Sequence, residues 1–259
     1  MWPLSFISEG DFCTHVEDTI KNYGEKLKPF NLEKFNSNII DPIKLIFDKT
    51  VYGFTWGEII KNEIFRQRDK SNNNDIGYFH QRIFKYIQDC NVPQNGWDVV
   101  FTRGGINVTD SDTVNRIFVE MKNKHNTMNS SASSKTYIRM QSKLLADDDC
   151  ACLLVEAIAK KSQNITWAVS VDGEQKKHRR IRRVSMDKFY ALVTGEEDAF
   201  YQMCMQLPQI IEKVVSKTAA NTIPHDSVLE ELETMAKSKD GSFALALYML
   251  GFWDYTGFK

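Results

Sequence analysis

Apolar residues recur at helical spacing through the first third of the chain, and the pattern predicts helices over residues 12–23, 42–47, 56–68 and 76–87. In the last of these, Ile76, Phe79, Ile83, Phe84 and Ile87 share one face, which marks a buried stripe. The turn formers Asn91-Val92-Pro93-Gln94-Asn95-Gly96 end the helical pattern, and the residues then become β-prone. Residues 97–102, with Val99, Val100 and Phe101, read as a first strand. Gly104-Gly105 and Asp110-Ser111-Asp112 break the chain before residues 115–122, a second strand rich in Ile117, Phe118 and Val119. A loop of hydroxyl and amide side chains over residues 126–134 leads into a long helical region, 135–161, with Ser133 or Ser134 placed to cap it. Residues 165–171 alternate Trp167, Val169 and Val171 and end at Asp172-Gly173, so a third strand is expected to turn back into a hairpin partner over 176–186. The rest reads as helix: 187–193 stopped by Gly195, 197–217 interrupted at Pro208, and a segment opened by the capping box Ser227-Val228-Leu229-Glu230.

Helices before the strands, among them and after them imply an α/β fold, with a mixed central β-sheet flanked by α-helices. No repeat or linker divides the 259 residues, so one domain is expected. Its parts would be a helical N-terminal part (1–95), a catalytic α/β core (96–186) and a helical C-terminal part (187–259). With 42% hydrophobic residues such a chain can bury a sizeable core. The apolar run 243–253 is too short to span a bilayer and reads as a core helix or a subunit interface. The first residues lack a basic segment followed by an apolar run, so no signal peptide is expected.

Charge changes the picture by its absence. A net charge of -1 lacks the strongly basic balance usual in nucleic-acid binders, so any such role must rest on local charge. Lys176-Lys177-His178-Arg179-Arg180-Ile181-Arg182-Arg183 is the strongest basic run and supplies it. Five cysteines without paired C-x-x-C spacing argue against a disulfide framework or a structural zinc site and fit a reducing cytoplasm. Cys150-Ala151-Cys152, in a helical pattern, reads as buried thiols. Gly104-Gly105 lacks the downstream residues of a P-loop.

The candidate chemistry lies at Val119-Glu120-Met121-Lys122. Residues two apart on a strand share a face, so Glu120 and Lys122 point together while Met121 points away with its carbonyl near the Glu120 carboxylate. A hairpin with the preceding strand brings Asp98 beside Glu120. Two acids and an ammonium on one face suit phosphodiester hydrolysis: carboxylate oxygens hold Mg²⁺, and the lysine orients or helps deprotonate the attacking water. An isolated E-x-K on a strand, by contrast, usually forms a surface ion pair worth little.

These residues resemble the PD-(D/E)XK nuclease superfamily, with Asp98 as its first acid and Glu120-Met121-Lys122 as its E-x-K element. Trp97 stands where that superfamily often has proline. Gly96-Trp97-Asp98-Val99-Val100-Phe101, the run from Val119 through Lys122-Asn123-Lys124-His125-Asn126-Thr127-Met128-Asn129-Ser130 to Ser131, and the upstream stretch 66–81 resemble the Type II restriction endonucleases that cut GGNCC. The resemblance extends over nearly the whole chain. It implies a restriction-endonuclease-like core with extra N- and C-terminal helices, and Mg²⁺-dependent cleavage of double-stranded DNA at GGNCC leaving 5′ overhangs. It also implies a homodimer matching the palindrome and a cognate DNA methyltransferase protecting the host. Asp98, Glu120 and the Met121 carbonyl would hold the metal.

The superfamily often adds an acid from an early helix, and Glu63, on the inward face with Ile59 and Ile60, is the candidate beside a structural ion pair. Gln141, with Tyr137, Ile138, Leu144 and Leu145 one turn away, would orient the lysine or water, or be a satisfied core amide. His80 reads as a hydrogen-bonded core histidine. Asn123, Lys124, His125 and Asn126 directly follow the E-x-K element and are candidates for DNA contact. Asn129, Ser130 and Ser131 at a helix start are candidates too, unless they form a plain linker. Arg179, Arg180, Arg182 and Arg183 would meet phosphates, the alternative being a cationic edge strand. His125-Asn126 lacks the further histidines of an H-N-H nuclease. A repair or recombination nuclease of the same superfamily, and a DNA-binding protein without hydrolysis, are the competing functions.

Overall fold

The computed structural model describes residues 2–26, 28–109, 112–125, 127–217, 225–238, 242–253 and 255. The chain folds as two compact units that each draw on separated stretches of sequence: Met1–Ile20 with Ile76–Thr218, and Lys21–Asp75 with Ala219–Lys259.

The first unit holds a six-stranded mixed sheet. Its strands are β1 (Cys90–Asn91), β2 (Val99–Thr109), β3 (Asp112–Lys124), β4 (Cys150–Ile158), β5 (Asn164–Val171) and β6 (Glu174–Ser185), in the order β1-β2-β3-β4-β6-β5. The hairpins β2–β3 and β5–β6 are antiparallel, whereas β3, β4 and β6 run parallel to one another. On one face α5 (Ser130–Ala146) covers Phe118, Cys152, Leu154, Ile181 and Trp167 with Tyr137 and Met140. On the other, Val119, Leu153, Val155 and Val184 pack with Phe84, Phe189 of α6 (Met186–Thr194) and Met203 of α7 (Ala199–Val215). The α/β fold with helices on both faces is the one the pattern implies.

The largest departure is β4. The expected helix over 135–161 is α5 followed by a strand, separated at Asp147-Asp148-Asp149. Every residue of Cys150–Ala157 is buried, because a parallel strand covered on both faces reads as an unbroken apolar run, which periodicity cannot tell from a buried helix. Cys150 and Cys152 are therefore buried thiols as expected, but on this strand and not on a helix. Gly104-Gly105 does not end β2. It forms a bulge between the pairs Thr102–Arg116 and Ile106–Val114, where Gly105 takes φ +71° and donates its N–H to Asn115 Oδ1 at 2.9 Å. Asp172-Gly173 turns β5 into β6 with both residues at positive φ.

Helices differ at their boundaries. α1 spans Glu9–Lys26, and the segments expected at 56–68 and 76–87 are one helix, α4 (Trp56–Arg82), continued by a 3-10 turn at Ile83–Tyr86. Extending an existing helix costs less than nucleating a second one, which carries α4 through its polar middle. Pro208 lies inside α7 without stopping it. The carbonyl it leaves unbonded belongs to exposed Cys204, where water can reach, while Met203, Ile210 and Val214 stay buried. His80, expected to be hydrogen-bonded, has a buried Nδ1 without a partner, and burial pushes its pKa down to about 4. The hydrogen-bonded core histidine is His15, whose ring nitrogen Nε2 lies 2.9 Å from the Phe79 carbonyl.

The second unit is helical, with α2 (Leu32–Asn36), α3 (Pro42–Tyr52), the first part of α4, α8 (Val228–Lys237) and α9 (Phe243–Gly251) around Phe35, Ile60, Leu232, Ala246 and Leu247. Most of the apolar run at 243–253 is thus α9, which buries Phe243, Ala246 and Leu247 in this unit, while Trp253 beyond it is exposed. Arg68 grips Asp226 through two hydrogen bonds of 3.0 and 2.7 Å, a bidentate pair. Ser227 precedes α8 but makes no cap bond there. Its hydroxyl donates to Glu231 at 2.5 Å, so the expected capping box does not form.

Candidate active site

The β2–β3 register sets Val99 opposite Val119, which carries Asp98 to the level of Glu120 just before β2 begins. The Asp98 N–H donates to the Val119 carbonyl at 3.0 Å, and Met121 N–H donates to Asp98 Oδ2 at 2.6 Å. Gln81 of α4 donates to the Asp98 carbonyl at 3.3 Å. The acid is thus anchored through its backbone and one carboxylate oxygen. Burial raises its pKa above the ordinary carboxylate value and the Glu120 charge adds to this, against the Met121 hydrogen bond and the positive Lys122 and Arg139.

Alternation on β3 sends Glu120 and Lys122 to the α5 face, while Met121 packs into the opposite core. Lys122 Nζ donates to Glu120 Oε1 at 2.8 Å. The other carboxylate oxygen accepts from Arg139 of α5 at 3.0 Å, and the Arg139 guanidinium lies 4.0 Å from the centre of the Trp97 ring. Two carboxylates and an ammonium therefore converge on the α5 face of β3, within its parallel pairing with β4. Among the described residues no three His, Cys, Asp or Glu side chains gather as a metal site, so a cation here would rest on two carboxylates and a backbone oxygen.

One strand over, Glu156 pairs in register with Lys122. It is 2% exposed, accepts from Arg183 of β6 and faces His125 Nδ1 at 3.1 Å. Burial raises its pKa, but Arg183 and His125 outweigh this and hold it below the ordinary range. Lys122, Glu156, Arg183 and Ser133 line a cavity of about 100 Å³ that also meets Trp167.

The sequence model of the Eco47II restriction endonuclease family matches residues 4–216. The chain belongs to this family. Among curated relatives, the Type II restriction enzyme Sau96I of Staphylococcus aureus is 29% identical over 245 residues, covering 92% of this chain and 90% of the relative. The Type II restriction enzyme Eco47II of Escherichia coli is 29% identical over 224 residues, covering 83% and 89%. As a member of the Eco47II family the protein is a Type II restriction endonuclease, a site-specific deoxyribonuclease. Among the described residues no helix is long and apolar enough to cross a membrane.

In this Eco47II-family chain the remaining candidates fall in different places. Glu63 belongs to the helical unit, where it is 6% exposed and accepts from Arg66 at 2.7 and 2.5 Å and from Gln67 at 3.0 Å. That is the ion-pair arrangement. Gln141 is exposed along with Ile138 and Leu145, because α5 buries the line of Tyr137 and Met140 instead; a core amide it is not. Lys124 is exposed at the end of β3, and the Asn123 side-chain oxygen is buried without a partner. Asn126 lies outside the described residues. Asn129, and neither Ser133 nor Ser134, caps α5 by accepting from Ala132 N–H at 2.8 Å, which leaves Ser130 and Ser131 exposed in the first turn.

The basic run is mostly engaged within the protein. Arg179 and Arg180 reach Asp112 at 3.0 and 3.1 Å. Arg182 is buried against Asn164 and Thr166, and Arg183 holds Glu156. Only Lys177, His178 and Arg179 of the run are exposed. Arg139 and Glu156 were not singled out from sequence. Glu156 lies in the segment whose apolar run predicts helix, where a lone acid carries no signal; in an apolar strand it would.

Proposed function

We propose that this restriction endonuclease hydrolyses double-stranded DNA at GGNCC, leaving 5′ overhangs, with Mg²⁺ as cofactor and Asp98, Glu120 and Lys122 at the reacting phosphate. The observation that carries the reading is the meeting of Asp98 with Glu120 and Lys122 at the level set by the β2–β3 register. The donor set fits a hard divalent cation, since burial and the Glu120 charge both raise the Asp98 pKa and a cation beside that carboxylate offsets them. The Met121 carbonyl would add a third oxygen. When bound, the cation polarises the phosphoryl group, acidifies a water and offsets charge on the leaving oxygen. Lys122, held by Glu120, is placed to orient the attacking water and to stabilise the pentacovalent phosphorus with its positive charge. Asp98, fixed by Met121 N–H, keeps its carboxylate aimed from the neighbouring strand.

Asn123, Lys124, His125, Asn126, Asn129, Ser130 and Ser131, which follow the E-x-K element in the chain, are assigned to the DNA, with exposed Arg179 on phosphate. A palindromic site fits a homodimer in which each subunit cuts one strand. The host would be protected by a cognate DNA methyltransferase, and five free thiols suit the cytoplasm. The GGNCC assignment is supported by the Lys122-to-Ser131 likeness and by the two Type II relatives.

The test is digestion of a sequenced plasmid with purified protein and Mg²⁺, followed by sequencing of the ends. Discrete fragments whose ends all fall in GGNCC with 5′ extensions are expected, as is loss of cutting in excess EDTA. A smear would transfer the chain to a structure-directed nuclease, and discrete ends elsewhere would replace the recognition sequence alone.

A further inference from the structure

Arg139 reaches this site from a helix, α5, and not from the sheet. Cap and core fix where it stands. α5 begins at the Asn129 cap and buries Tyr137 and Met140, which leaves Arg139 at the margin of the α5–sheet contact. There its guanidinium carbon sits 4.0 Å from the centre of the Trp97 ring, while one N–H donates to Glu120 Oε2 at 3.0 Å. One turn on, Lys143 Nζ is 4.2 Å from the centre of the Phe118 ring, and Trp97 and Phe118 themselves are in contact at 5.6 Å. An aromatic pair from the β2–β3 region thus carries two cations of α5. A guanidinium over indole keeps its position without needing the carboxylate, because the ring attracts the cation on its own.

We propose that Arg139, held on Trp97, is a positioning residue that acts through Glu120: it neutralises this carboxylate until a divalent cation displaces it. The proposal rests on the two-carboxylate cation site argued above. Glu120 is flanked on one oxygen by Lys122 and on the other by Arg139, so an arriving cation meets a positive charge at either oxygen. Lys122 stands on the same strand two residues away and keeps its place beside the reacting groups. Arg139, 41% exposed, has the freedom to swing, and Trp97 limits how far it goes. Its positive charge extends to Asp98, so it opposes the cation at both acids. Trp97 thereby has a task beside Asp98 that a proline there would not perform.

Cation binding without DNA tests this. Mg²⁺ titration of the full chain by calorimetry is expected to give tighter binding for Arg139→Ala and Arg139→Gln, on the order of tenfold for loss of one nearby positive charge. Arg139→Lys, which keeps the charge, should stay within about twofold of wild type, and Trp97→Leu should fall between. The Mg²⁺-dependent change in tryptophan fluorescence should vanish in Trp97→Phe and shrink in Arg139→Gln. Unchanged or weaker Mg²⁺ binding by both neutral variants, with circular dichroism like wild type, overturns the proposal. If Glu120→Ala binds Mg²⁺ as wild type does, the underlying cation site is wrong instead, and the two failures are distinguishable.

Discussion

Glu120 and Glu156 stand on adjacent parallel strands, point to the same face and lie at neighbouring levels, yet the fold treats them in opposite ways. Glu156 is sealed under Arg183 and His125, and its pKa is held below the ordinary range. Glu120 is less buried, is shared between Lys122 and the exposed Arg139, and stands beside Asp98, whose pKa is raised. A carboxylate whose charge is matched inside the protein contributes to the fold, whereas burial beside a second acid disfavours the ionised form of Asp98, a cost that protonation or a bound cation relieves. The candidate site is therefore marked by an acid whose ionised form is disfavoured, Asp98, and not by the most buried acid.

Substitution separates the two at once. Asp98→Ala, Glu120→Ala and Lys122→Ala should each lower cleavage by about 10³-fold or more while far-ultraviolet circular dichroism stays that of wild type. Glu156→Ala should do the reverse in emphasis. It strands Arg183 beside a cavity, and removing one partner of a buried pair typically costs about 3–5 kcal/mol, read as a lower urea midpoint. A Glu156→Ala enzyme that unfolds like wild type but no longer cuts would place Glu156 in the chemistry and end the contrast.

Acid stability sharpens the comparison, because the two shifts have opposite sign. Glu156 has a lowered folded-state pKa, so its contribution is complete above the unfolded value and is lost as pH falls through the folded one. Replacing it with Gln should flatten the acid limb of a stability profile measured between about pH 5 and pH 2. Asp98 has a raised folded-state pKa, so its ionised form disfavours folding, and that penalty appears as pH rises through the folded value. Asp98→Asn in EDTA should therefore melt higher than wild type at pH 7, with activity gone. His15 provides an independent reference: burial lowers its pKa to about 4, so it costs stability as pH falls from about 6.5 towards 4. Its slope should be the same in Glu156→Gln and wild type.

How much of this was legible in the sequence follows from the same physics. Asp98, Glu120 and Lys122 could be read because strand alternation and a hairpin are local rules, and the register kept them. The Asp172-Gly173 turn and the β5–β6 hairpin were legible for the same reason. β4 was not, since a strand buried on both faces has no period to detect. Arg139 was hidden because its partners, Trp97 and Glu120, are 42 and 19 positions away and only the packing of α5 brings them together. The arginines of β6 were recognisable as a basic run, but not as paired ones: Asp112 and Glu156 reach them from distant parts of the chain.

Those arginines give the smallest and most discriminating test. Arg182 is 9% exposed and donates to Asn164 Oδ1 and O, both at 2.5 Å, so its charge is turned inward. Arg179, two-thirds exposed at its side chain, pairs with Asp112 through Nε at 3.0 Å. Arg179→Ala should leave the melting temperature nearly unchanged. It should weaken binding to any duplex by a few-fold and reduce the slope of log affinity against log salt by about 1, since one phosphate contact releases about one counterion. Arg182→Ala should lower the melting temperature and leave that slope alone in the protein that remains folded. If instead both variants change the slope equally, the inward and outward cations of β6 are not distinct on the DNA; if Arg179→Ala shifts the cleavage pattern, Arg179 reads bases and not phosphate.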